Sequence, residues 1–303
     1  MKRFILRIGV FFLIILAFDV LLGRAFDYLS SHAKGGDNGR NNIICNKVTD
    51  DILIFGSSRA LHHYNPIIIE DSLGMSCYNC GQDGNGAILN YGFYQLICQR
   101  YHPKVLIYDI IASFDLLAGE DNHKYLGNLR PYYDKKGIPE IFESVDDTEK
   151  YKMRSQMYRY NAKFVQIVSD YLHPQQDVGV KGFRPYLEKM DTMKIKKRGP
   201  EKKEYVFDSL KIACIKKIIE ESQDIKIVFV VSPWWDGMDT TSLQPIKVLC
   251  HKYTTPFINF ANNKKYVHQN KYFKDGGHLN ALGADEFTKD LVMELRKRKI
   301  IER

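Results

Sequence analysis

No helix-turn-helix signature, zinc-finger spacing or Gly/aromatic RNA-binding strand occurs in this 303-residue chain, so its net charge of +8 points to an anionic membrane or polymer rather than to nucleic acid. Of its six cysteines only Cys77 and Cys80 are closely spaced, and without a second pair or a thioredoxin-like context they suggest neither a zinc site nor a redox motif. Buried free thiols, or one disulfide, are the expected states, and no metal or cofactor is implied. Internal repeats and low-complexity tracts are also missing. With 45% hydrophobic residues the chain can bury a full core without a covalent scaffold.

What is present begins at the N-terminus. Lys2, Arg3 and Arg7 precede an apolar run over residues 8–22 that is broken only by Gly9 and Asp19. Counted from Phe4 to Leu22 the stretch would rise ~28 Å as a helix, close to the ~30 Å of bilayer hydrocarbon. The pattern is that of a signal-anchor with its N-terminus in the cytoplasm and the remainder outside it. No small-x-small site follows the run and no cysteine is placed for lipid attachment, although Gly23 and Ala25 leave cleavage open. A buried amphipathic helix is the alternative, because Asp19 would cost ~2.5–3.5 kcal/mol at mid-bilayer; near the outer end of the run it escapes that cost. No second long apolar run exists. The expected organisation is a span over 1–23, a Gly/Asn-rich tether over 24–50 and one domain over 51–303.

Residues 51–55 form a continuous apolar run ended by Gly56-Ser57-Ser58, the form of a buried parallel strand entering a tight turn. Further strands are expected over 76–79, 105–111, 225–231 and 256–260. Helical spacing separates them at Leu89, Phe93, Leu96 and Ile97, and again at Leu210, Ile215, Ile218 and Ile219. Strands alternating with helices imply a parallel sheet with right-handed crossovers, hence a three-layer α/β/α, flavodoxin-like domain of about five strands, the first of them central. A last helix over 281–298 is expected to be capped by Asn280. Residues 113–204 are an insertion between strands 3 and 4. It is rich in tyrosine and late in its course in Lys and Arg (Lys194, Lys196, Lys197, Arg198), which suits either a polymer-binding wall or a stabilising subdomain.

A serine is a poor nucleophile until an imidazole takes its proton and a carboxylate orients that imidazole. Ser58 lies at the carboxyl end of the first strand, where ligands of open α/β sheets bind and where a following helix aims its free N–H groups. Asp275-Gly-Gly-His278 falls between a strand and a helix, in loops that converge on the same end. The like-spaced Asp170 and His173 lie inside the insertion with no strand before them, which weighs against them as the partner pair. Trp234 and Trp235 follow the fourth strand and are either a stacking platform or packing residues. His62 and His63 read as surface or capping residues, since neighbours on a helix point about 100° apart and no carboxylate cluster accompanies them.

A G-x-S turn after the first strand and D-x-x-H before the last helix resemble blocks I and V of the SGNH (GDSL-like) hydrolase superfamily. The likeness covers roughly 50–112 and 205–298. It implies a catalytic triad of Ser58, Asp275 and His278. The stretch from Tyr78 to Gly84 is similar to the family's Asn-x-x-x-x-Gly block, which places an oxyanion N–H on Gly84, with Gly81 as the competing choice. The asparagine of the family's third block is missing where Tyr108-Asp-Ile-Ile-Ala-Ser-Phe-Asp115 stands. That departure resembles the membrane-anchored branch containing DltD-like and alginate O-acetylation (AlgJ/AlgX-like) proteins, whose turn often reads Gly-[Ser/Asp]-Ser-Arg; Arg59 would then either sit beside the oxyanion or pair with a surface acid. The implied activity is an extracytoplasmic serine O-acyl, in particular acetyl, esterase or acyltransferase on an envelope or secreted glycan. The alternative is a catalytically silent scaffold that binds an envelope polymer or a membrane acyltransferase.

Overall fold

The computed structural model describes residues 1–161, 163–174, 179–191, 204–222 and 224–301. Along the chain run α1 (Lys2–His32), α2 (Gly36–Asn46), β1 (Ile52–Gly56), α3 (Ser58–His63), α4 (Pro66–Leu73), β2 (Cys77–Asn79), α5 (Ala87–Cys98), β3 (Val105–Asp109) and α6 (Ala112–Asp115). They are followed by α7 (Ile138–Val145), α8 (Glu149–Lys152), α9 (Gln156–Tyr160), α10 (Phe164–Leu172), α11 (Ser209–Glu221), β4 (Lys226–Val231), α12 (Gln244–Lys252), β5 (Phe257–Asn259) and α13 (Ala281–Lys297). The chain divides into two compact units, one made of Met1–Lys47 and Leu126–Val178, the other of Val48–Tyr125 and Gly179–Arg303.

The second unit carries a five-stranded sheet in the order β2-β1-β3-β4-β5, parallel throughout. β1 and β3 are buried along their whole length, which is why both read as unbroken apolar runs rather than alternating ones. Ile52, Ile54, Ile107, Val228 and Val230 pack with Tyr64 of the α3–α4 segment and with Phe287 and Leu291 of α13. Phe55, Tyr108 and Phe229 form an aromatic row, and Asn90 of α5 donates to the Tyr108 hydroxyl at 2.9 Å. The expected three-layer α/β fold is present. β3, not β1, holds the centre, so the strand order reverses between β1 and β3 and the crevice of such a switch point opens at their carboxyl ends. Asn280 caps α13, its Oδ1 accepting from the Gly283 N–H at 3.0 Å.

In the first unit α1 is the one helix among the described residues long and apolar enough to cross a membrane, with a mean hydropathy of 2.6 over its most apolar window. It continues to His32, beyond the expected span. Gly23 lets α9 come so near that an added Cβ would lie 2.2 Å from Gln156 Cβ. Phe26 packs on Phe164 at 4.6 Å, and the Tyr160 hydroxyl donates to Asp27 at 2.8 Å.

Residues 36–46, expected within a tether, are instead the buried helix α2. Their low apolar content misleads because asparagine amides do the holding. Asn42 Nδ2 donates to the carbonyls of Ser30 (2.7 Å) and Ala33 (3.0 Å), and Asn38 donates to Asp170 from Nδ2 (2.7 Å) and from its backbone (3.1 Å). Gly36, at φ 56°, leaves space for the Asp170 carboxylate that any Cβ would fill. Asp170 is thus structural, and His173 Nδ1 faces its own helix at the Ser169 carbonyl, 2.9 Å away. Of the expected insertion, only Leu126–Val178 belongs to the first unit; 113–125 and 179–191 belong with the sheet. The basic residues Lys194, Lys196, Lys197 and Arg198 lie outside the described residues. All six cysteines are free thiols.

Candidate active site

β1 ends at Gly56 with φ 140°, where a Cβ would meet the Asp109 carbonyl at 2.7 Å and Ala60 Cβ at 2.9 Å, so glycine alone permits the turn from strand to helix. Ser58 is the first residue of α3, and its backbone N–H therefore has no intrahelical acceptor. Its Oγ lies 2.9 Å from His278 Nε2. His278 Nδ1 lies 3.0 and 3.1 Å from the two oxygens of Asp275. A carboxylate only accepts, so Nδ1 carries the ring proton and Nε2 presents its lone pair to the Ser58 hydroxyl. Asp275 Oδ1 also accepts from the N–H groups of Gly277 (2.8 Å) and His278 (2.9 Å). Partial burial works against ionisation of Asp275, but the hydrogen bond and electrostatic attraction to His278 and those two N–H groups outweigh it and bring the carboxyl down to about 2.

Beneath this row lies a buried polar cluster. Arg59 is 1% exposed and donates to the carbonyls of Gly277 (2.9 Å) and Pro233 (2.8 Å), to the Ser232 carbonyl, and to Ser232 Oγ (2.8 Å), while the Trp234 ring covers its guanidinium at 4.2 Å. Arg59 therefore neither pairs with a surface acid nor stands as a free charge; it is a clamp on the loop that carries His278. His63 is a second clamp. The Leu279 N–H donates to His63 Nε2 at 3.0 Å, which leaves the proton on Nδ1 to be given to Ser232 Oγ, also at 3.0 Å. Burial, then the positive charge of Arg59, holds the His63 imidazole well below its ordinary pKa, in keeping with a neutral ring. Ser232 in turn donates to Asp109 Oδ2 at 3.2 Å, and Asp109 accepts from the Tyr64 hydroxyl at 2.7 Å. Arg59 and His63, both on the helix of Ser58, thus grip the residues on either side of His278.

The other site residues read from the sequence divide. Gly81 packs against α3, where a Cβ would lie 2.4 Å from the Leu61 nitrogen, and its own N–H is taken by Asn79 Oδ1 at 3.0 Å. Gly84 has φ 65° and open space around it, in a turn whose Asp83 accepts from His62 Nε2 at 3.1 Å. His62 is buried rather than on the surface. Its Nδ1 faces the Arg184 carbonyl while its Nε2 faces Asp83. Tyr186 stacks on His62 at 3.9 Å and meets the His278 ring edge-on at 5.6 Å, so the end of the expected insertion reaches the row.

A cavity of about 570 Å³ opens beyond β3 and β4, lined by Ile111, Ser113, Tyr205, Trp234, Asp236 and Asn262 among others. Trp234 connects the cavity to the row, since its ring also comes within 3.6 Å of where a Gly277 Cβ would lie. Trp235 does not join it; its Nε1 donates to Asn270 at 2.7 Å and its ring packs against the core. Among the residues missed in sequence, Asp109 and Ser232 carried a signal. Each is a polar residue closing an apolar strand at the same sheet end as Ser58.

No protein-family model matches the chain, and no curated protein matches it. Solved structures similar to it include a putative platelet activating factor from Streptococcus pneumonia (12% identity, 96% of this chain and 98% of that one, TM-score 0.41), a family two carbohydrate esterase from Clostridium thermocellum in complex with cellohexaose (10%, 82% and 64%, 0.37), and the acetyl xylan esterase Est2A from the rumen bacterium Butyrivibrio proteoclasticus (8%, 82% and 63%, 0.35). The chain spans a little under two thirds of the length of the two esterases.

Proposed function

We propose that this chain is a serine O-acyl esterase or acyltransferase, anchored in a membrane by α1 with its catalytic unit outside the cytoplasm, acting on acyl groups of an envelope or secreted glycan. The observation that carries the reading is the continuous hydrogen-bond row from Ser58 Oγ through the His278 ring to Asp275. His278 Nε2 takes the Ser58 proton as Oγ attacks the acyl carbon, and Asp275 stabilises the imidazolium. The Ser58 and Gly84 N–H groups receive the oxyanion. Collapse breaks the bond to the alcohol, which leaves with the proton from His278. Water or a second hydroxyl then attacks the acyl-enzyme, its proton passing to His278, and Ser58 is freed. Hydrolysis and transfer share every step as far as the acyl-enzyme.

Acetyl is the acyl group that the motif resemblance implies. The glycan reading is supported by the cavity's lining, in which the Trp234 and Tyr205 rings stand among hydrogen-bonding groups of Ser113, Asp236 and Asn262. The basic Lys2, Arg3 and Arg7 before the apolar run favour a cytoplasmic N-terminus. A fluorophosphonate probe and a small aryl acetate test the chemistry. Wild-type protein should be labelled and turn over the ester; Ser58→Ala and His278→Ala should each lower turnover by about 10⁴-fold or more, with the double variant little worse. Labelling or substantial turnover in Ser58→Ala would sink the assignment.

A further inference from the structure

Asp19 lies on α1 inside the apolar run, yet it has partners. Its carboxylate accepts from Ser155 Oγ at 2.6 Å and from the N–H groups of Gln156 (2.9 Å) and Met157 (3.0 Å), at the start of α9. Away from these contacts α1 stays apolar and open past this point, with Leu21 68% and Leu22 40% exposed. With residues 4–22 across the hydrocarbon, Asp19 sits about 4.5 Å inside its edge, three residues at ~1.5 Å each before Leu22. Residues 155–157 sit there with it. Successive turns, Ser155 N–H to the Lys152 carbonyl (3.1 Å) and Arg154 N–H to that of Tyr151 (3.2 Å), fold the preceding residues back onto the same corner. There Tyr151 is 58% exposed, flanked by the guanidinium of exposed Arg154 at 5.3 Å and by Lys150 at 5.4 Å from its ring. The nearby acids are largely engaged: Lys152 binds Asp146 and Glu149, and Glu143 lies 3.9 Å from Lys150.

We propose that this corner, α8 and the start of α9, rests in the phospholipid headgroup layer at the Leu22 end of the span, with Tyr151 at the level of the glycerol backbone and Lys150 and Arg154 on lipid phosphates. An aromatic ring between two cations is the composition of a membrane interface. α1 is therefore a post that seats its unit on the lipid, and the half-buried Asp19 carboxylate, held by three hydrogen bonds, fixes the height.

The test places a tryptophan at the corner of the full-length chain, as Tyr151→Trp, in vesicles of phosphatidylcholine and phosphatidylglycerol brominated near the headgroup end of their acyl chains. Wild-type protein, with Trp234 and Trp235, supplies the background. The emission added by the new residue should fall at least about twofold relative to unbrominated vesicles. Protein that floats with the vesicles but whose added emission is unquenched overturns the proposal and leaves the span standing. Protein that does not float overturns the span as well. The esterase chemistry is untouched by either result, because it rests on the row of Ser58, His278 and Asp275 and not on the anchor.

Discussion

Replacing His63 with phenylalanine keeps an aromatic ring in the buried site, slightly larger than the imidazole, and removes both of its hydrogen bonds. The Leu279 N–H and the Ser232 hydroxyl, at 3.0 Å from its two nitrogens, then lose that partner in a buried place. Ser232 Oγ keeps Arg59 and Asp109, so the Leu279 N–H is the group left unsatisfied, at about 1–3 kcal/mol against a net stability of about 5–15 kcal/mol for a folded protein. That loss leaves the variant folded at 25 °C. Leu279 follows His278 directly, so its release lets the imidazole drift, and a displacement of about 1 Å costs about 10²-fold in rate. The cavity beside Trp234 is not touched, so the loss should fall on kcat and leave KM nearly unchanged. The assay is turnover of a small aryl acetate per folded molecule, with folding followed by near-ultraviolet circular dichroism. A pH series adds a second reading. Because the folded pKa of His63 is depressed, the unfolded chain binds its proton first, so this group adds stability above about pH 6.5 that is lost as pH falls, at up to about 1.4 kcal/mol per pH unit. His63→Phe should lack that slope. Turnover per folded molecule within about threefold of wild type would refute the clamp.

Asp115 supplies a prediction of opposite sign. Burial raises its carboxyl to about 7 although the Ile111 N–H and Tyr108 hydroxyl donate to it, so wild-type protein should lose stability from this group as pH rises from about 4 to 7. Asp115→Asn should remove that slope, as urea titrations at pH 4.5 and 7 can show; equal slopes in the two proteins would contradict it. Trp234→Ala should raise KM for an acylated oligosaccharide by about 5–30-fold, the equivalent of about 1–2 kcal/mol of lost stacking, while KM for a small aryl acetate stays within about threefold. A comparable rise for both esters would show that the cavity does not hold the glycan.

The sheet was legible because parallel strands covered on both faces are built from apolar side chains, and 52–55 and 105–108 have no other use for such runs. The convergence of Ser58, Asp275 and His278 was legible because each follows a strand at one sheet end. The clamps were not. Nothing near His63 in sequence announces that its ring will meet the Leu279 N–H, and such contacts exist only once α3 and the 275–279 loop are side by side. Trp234 and Trp235 look alike in sequence, yet neighbouring side chains leave the backbone on different sides and only one reached the cavity. α2 was hidden for a different reason. Glycine and asparagine weigh against a helix locally, and here the tertiary partners Asp170, Ser30 and Ala33 override that preference.

The way α1 merges into its unit bears on how the protein can be produced. Trimming the chain after residue 23, the natural place to cut off a span, would strip away both Asp19 and Gly23 and leave α9 with unanswered N–H groups and an open groove. Starting at residue 19 keeps them but puts Leu21 and Leu22 in water. The sheet-bearing unit cannot be isolated by shortening either end, because its two chain segments, Val48–Tyr125 and Gly179–Arg303, are separated by a stretch of the other. Purification in detergent or lipid discs with the helix intact, or a start at residue 19 with Leu21 and Leu22 made polar, follows from the architecture.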